Sequence, residues 1–163
     1  MNREIKFRAK PLSGGYHWVY GCAVIQISER AFLFENTDSL ASVTPDGDIE
    51  SSAYIVEGLI EVAPDTIGQY TGLKDKNGKE IYEGDIIRRE AYGEFGPNIR
   101  VVFFDTESAG FVHQPIRYYA QKIKEPLHDD FKSPFNKHIT ECYTIIGNVY
   151  DDKELLSQYV INN

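Results

Sequence analysis

Glu83 and Asp85 stand two positions apart, and Asp105 and Glu107 repeat the spacing. On an extended chain residues so spaced point to one side, as the paired acids of a hydrolase must. Neither pair has a His, Lys or Arg placed to complete a mechanism, and Gly84 interrupts the extended geometry of the first. Both pairs therefore read as exposed acids of an acidic protein, and no catalytic residue is assigned. His138 and Cys142 have the i, i+4 spacing of half a metal site, which His113 or His128 would have to complete. That set lacks two ligands at a convincing spacing, so the expectation is a packed Cys beside a surface His, with no metal and no cofactor. Ser13-Gly14-Gly15 has no following GK[ST] and cannot cradle a phosphate as a nucleotide loop does. Aromatics interleaved with basic residues are the remaining chemistry: Tyr70, Tyr82, Tyr92, Tyr118 and Tyr119 lie near Lys74, Arg88, Arg89 and Arg117. Stacking rings in a basic groove bind single-stranded nucleic acid, and Tyr70, Lys74, Tyr82, Arg88 and Arg89 are the binding candidates on that reading. It is not favoured, because a chain with a pI near 5.0 must concentrate positive charge against its own field.

The elements that would carry these residues are mostly strands. Eleven Tyr and nine Phe with frequent Val and Ile are the composition of half-buried pleated surfaces, and 163 residues suffice for one medium domain or two small ones. Ile5 and Phe7 alternate with Lys6 and Arg8, and Gly14-Gly15 turns this strand into Tyr16–Tyr20. Ala31–Phe34 reads as a buried strand, Thr44–Asp48 as a turn, and Tyr54–Val62 as a further strand. Pro64-Asp65 marks a boundary, giving an N-terminal β lobe over residues 1–64 and a second lobe over 65–163. In the second lobe Asn77-Gly78 makes a hairpin turn, and Gly84 with Asp85 leads into Ile86-Ile87. Arg100–Asp105 and Gly110–His113 pair, and Tyr143–Val149 closes what is expected to be a small SH3-like antiparallel barrel. Residues 119–139, with two prolines, read as an inserted loop or short helix. The one expected helix starts at Asp151 or Asp152 and puts Leu155, Leu156, Tyr159 and Val160 on one face.

Charge is segregated. Nine acids against Arg30 alone give −8 between Glu29 and Asp65, equal to the net charge of the whole chain. Arg3, Lys6, Arg8 and Lys10 form one basic island, and Arg117, Lys122 and Lys124 another. Cys22 and Cys142 belong to no CxxC clip and are expected to be reduced thiols. With no secretory apolar run at the start and no stretch apolar enough to span a bilayer, a cytoplasmic location and no membrane contact are expected.

Three stretches, REIKFRAK, IGQYTGLKDKNGKEIYEGDIIR and YTIIGNVYDDKELL, together resemble the YopX family of phage and prophage proteins. Lys10 departs from it where an aromatic often follows FRA. The resemblance implies a phage or prophage origin in a bacterial host, a mostly β fold and self-association, and it supplies no activity and no site residues. The central stretch itself reads as structural: two turns that need glycine and an Asp that satisfies turn amides. The expected function is that of a non-enzymatic accessory protein acting by protein association. Its partners are other copies of itself and a host or phage protein. A nucleic-acid-binding barrel is the alternative, and an acidic decoy of a host DNA-binding protein, built on Glu29–Asp65, a weaker one.

Overall fold

The structure is a computed structural model, and it describes residues 4–13, 17–35, 59–91, 93, 96–120 and 133–159. Several expected features lie outside the described residues: the Gly14-Gly15 turn, the Thr44–Asp48 turn, residues 54–58 of the expected strand, Arg3, Tyr92, Lys122, Lys124, Pro126, His128 and Val160. Most of the acidic segment, residues 36–58, does too. The chain divides into two compact units, one formed by Ile5–Ile67 and one running from Gly68 onward. The fold is mainly β, with curled antiparallel sheets in the manner of a half-barrel and a short C-terminal helix.

In the first unit β1 (Phe7–Ala9), β2 (Val19–Ile27), β3 (Arg30–Glu35) and β4 (Leu59–Val62) form consecutive antiparallel pairs. Two register rows, Val24–Leu33–Ile60 and Gln26–Ala31–Val62, alternate with Ala23–Phe34–Leu59 and Ile25–Phe32–Glu61. Period-2 alternation sends Leu33, Ala31 and Val62 into a core shared with Ala9, Phe7, Val19 and Val24. The other two rows face away from it. After β1 the chain meets β4 from its free side, where Pro11 bridges Val62, the Leu12 N–H donates to Glu61 O at 3.0 Å and the Ala63 N–H to Lys10 O at 2.8 Å. The Lys10 N–H also donates to Thr66 Oγ1. The sheet of this unit thus closes on itself, and the edge that β4 would otherwise expose is paired.

The second unit holds the hairpin β5 (Gly68–Lys74) and β6 (Glu80–Tyr82) and a sheet of β7 (Asp85–Arg89), β8 (Asn98–Asp105), β9 (Gly110–Pro115), β10 (Ser133–Pro134) and β11 (Tyr143–Asn148) in the order β10-β9-β8-β7-β11. Both faces of this sheet are covered, which is why apolar residues come in adjacent pairs. Ile87 and Val102 pack with Ile81, Ile139 and Tyr143, whereas Ile86 and Val101 pack with Ile116 and Val149 on the opposite face. Helix α3 (Lys153–Ser157) follows Asp152, and Leu155, Leu156 and Tyr159 lie against that second cluster. Asp152 does not cap it by a side-chain bond; its Oδ2 instead accepts the Asn148 N–H at 2.8 Å. Two further five-residue helices, α1 (Ile116–Ala120) and α2 (His138–Cys142), carry too short a pattern to be read from sequence. No helix among the described residues is long and apolar enough to cross a membrane.

Candidate functional site

The glycine-rich central stretch is built first from its turns. Gly78 at φ 84° makes the β5–β6 turn, and Gly84 at φ 82° makes the turn into β7. Both angles are open to glycine and costly to other residues. Its acids hold the backbone in place. Asp75 is 4% exposed; its Oδ1 accepts the N–H groups of Asn77 and Lys79, both at 2.9 Å, and its Oδ2 that of Ile145 in β11 at 3.0 Å. Asp85 Oδ2 accepts the Tyr82 N–H at 2.9 Å. Glu83 spans Gln69 and Phe104, accepting one N–H at each carboxylate oxygen. Asp105 accepts both the N–H and the hydroxyl of Ser108. A carboxylate that accepts backbone donors in this way positions chain, and Asp85, 1% exposed, and Asp105, 8% exposed, are buried where exposed acids were expected.

The basic residues converge elsewhere. A pocket of about 530 Å³ lies at the end of the sheet, where β7 finishes and β8 begins. Arg89, Arg100 and Arg117 line it with Pro97, Ile99, Pro115, Ile116 and Tyr159, and the described lining residues include no carboxylate. Register explains two of the three cations: Ile87 pairs with Arg100 and Arg89 with Asn98, so Arg89 and Arg100 share one face of adjacent strands. Arg117 arrives from the first turn of α1 and bonds the Tyr118 hydroxyl at 2.9 Å. Arg100 is 7% exposed and is held by Nη2 bonds to His113 O at 3.0 Å and Ser133 Oγ at 3.3 Å. Burial pulls its guanidinium below the usual arginine range; the Tyr143 hydroxyl offsets this in part and Arg89 adds to it. Arg89 lies 6.0 Å from the centre of the Tyr143 ring, and its Nε is buried with no hydrogen-bond partner.

Behind these cations, on the same face, His113 is 5% exposed between the rings of Phe135 and Tyr143. Its pKa falls to about 3, chiefly through burial and further through Arg100 and His138. His113 is therefore a neutral aromatic in the core.

Of the residues singled out from sequence, Arg89 alone of the five binding candidates lines the pocket. Tyr70 and Tyr82 are buried against one another at 5.4 Å between ring centres, and the Tyr82 hydroxyl donates to Glu80. Lys74 lies 4.0 Å from the same Glu80, and Arg88 pairs with Glu90 at 3.1 Å. His138 Nδ1 and Cys142 Sγ are 3.6 Å apart, and among the described residues no group of three or more His, Cys, Asp or Glu could hold a metal ion. In the first unit Arg8 is buried with its guanidinium 4.5 Å from the centre of the Trp18 ring. Sequence reasoning passed over Arg100. The signal was there: in NIRVVFFD a cation occupies a strand position whose neighbours are apolar.

A family model described as YopX protein matches residues 22–157. No curated protein matches the chain. Among solved structures, the crystal structure of protein EF1440 from Enterococcus faecalis is similar at 19% identity and a TM-score of 0.39, covering 93% of this chain and 97% of that one.

Proposed function

The chain belongs to the YopX family, which is not a known enzyme family, and from that premise we propose that it is a non-enzymatic phage or prophage accessory protein acting in the host cytoplasm by binding protein chains, its own first. The observation that carries this reading is the outward face of the first unit's sheet. Ala23, Phe34 and Leu59 form one row there and Ile25 and Phe32 most of the next, with Ile25 45% and Leu59 38% exposed. A sheet has two faces, and the rows that turn away from the core here are apolar except at Glu61. Contiguous apolar residues on neighbouring strands lower their free energy by excluding water, and a second copy supplies a surface of the same apolar chemistry. Beside them Arg30 and Glu61 form a two-bonded ion pair, at 2.6 and 2.9 Å, that joins β3 to β4. Such a polar neighbour orients a contact more than it strengthens it.

Light scattering coupled to size exclusion is the test. A mass above 18.6 kDa at tens of micromolar is expected, falling to the monomer in Ile25→Lys with unchanged circular dichroism. Added salt should weaken the assembly only in part, since screening acts on charges and leaves apolar burial alone. A concentration-independent monomer would remove the proposal.

A further inference from the structure

Glu61 is the single charged residue in the two outward rows of the first unit. It stands between Phe32 across β3 and Leu12 across the seam, with Leu59 two residues before it in β4. A carboxylate set among apolar residues resists any surface that would strip its water, because the lost hydration is not returned. Arg30 removes that obstacle from within the same chain. Its Nε and Nη2 donate to the two carboxylate oxygens, at 2.6 and 2.9 Å, and its guanidinium carbon lies 5.1 Å from the centre of the Phe32 ring. These bonds hold the Glu61 carboxyl below the ordinary carboxylate range and raise the Arg30 guanidinium above its own, so both are charged at neutral pH and cancel in place. For the fold the pair does little, since the Arg30 side chain is 64% exposed and surface pairs of that kind add little stability.

We infer, resting on the self-association proposed above, that the Arg30–Glu61 pair is the selectivity element of this face: it admits a second copy while both charges are present and turns the same copy away when either stands alone. The sign follows from desolvation. Covering an intact, two-bonded pair leaves each charge with its partner, whereas covering a lone carboxylate leaves a buried charge with none, which is far more unfavourable than the pair itself is favourable. Replacing both members by apolar residues removes the penalty altogether, so the pair chooses the partner instead of holding it. The same rule refuses a foreign surface that brings an unpaired acid or base against the rows.

A mutant cycle on the full chain provides the test, with association constants from light scattering over a concentration series for the native chain, Arg30→Leu, Glu61→Leu and the double variant, and with Ile25→Lys as the monomeric reference. Arg30→Leu should weaken association about tenfold or more, because it strands a carboxylate between Phe32 and Leu12. Arg30→Gln should do the same. Glu61→Leu should weaken it less, since a released Arg30 turns its head to water. The double variant should associate at least as tightly as the native chain, and its doing so shows that neither substitution spoils the fold. Single variants that associate like the native chain, or a double variant no tighter than Arg30→Leu, would overturn the inference and leave self-association standing. A native chain that stays monomeric, or Ile25→Lys that associates like the native chain, would remove both.

Discussion

At the scale of single residues, the second unit keeps charge inside by giving it different tasks. Carboxylates accept backbone donors, guanidinium groups line a cavity, and His113 is held neutral. The last has a measurable consequence. The folded pKa of about 3 lies below the ordinary 6.5, so between those values the unfolded chain binds a proton that the folded chain refuses. The stability owed to neutral His113 is complete above about pH 6.5 and is lost as pH falls toward 3, at no more than about 1.4 kcal/mol per pH unit. Urea unfolding midpoints at pH 7.5, 5.5 and 4.5 should therefore fall more steeply for the native chain than for His113→Gln. Parallel slopes would mean that the imidazole is not shielded in this way.

At the scale of elements, the strands and their turns were legible because each obeyed a local rule. Asn77-Gly78 announced a turn, Ile86-Ile87 a strand, and Leu155 with Leu156 and Tyr159 a docking helix. What escaped was non-local. Nothing near Asp75 in sequence reveals that it also receives the Ile145 N–H from β11, seventy residues on, and nothing in the spacing of Arg89, Arg100 and Arg117 reveals that they share a cavity. Helices of five residues escaped for a different reason, being shorter than the period needed to display a face. The Asp75 bonds tie the β5–β6 hairpin to β11, and Asp75→Asn tests that tie. An amide offers one acceptor and one donor, so whichever way it turns, a backbone N–H loses its acceptor. A loss of about 1–3 kcal/mol is expected, read from chemical denaturation, with hydrogen exchange accelerating first at Lys79 and Ile145. Protection unchanged at both amides would show that the hairpin is held by its apolar contacts instead.

At the scale of the whole molecule, the chain uses two units for two kinds of surface. The first presents apolar rows outward, and the second lines an open pocket with three arginines. Composition alone could not separate these, since the net charge of −8 describes an acidic protein while the pocket is lined by arginine. The self-closure of the first unit has a mechanical meaning. Residues 10–12 and 61–63 run antiparallel, with Lys10 joined to Ala63 and Leu12 to Glu61, so tension applied at Ile5 and Ile67 reaches the Lys10–Ala63 bond before the Leu12–Glu61 bond. The seam peels one bond at a time and cannot share the load in shear. In an optical trap with handles at those two residues, the unit should open at lower force than when pulled from Ile5 and Arg30, and the reverse order would show that the seam is not where it yields. A unit held by its core can thus come apart readily when pulled by its ends.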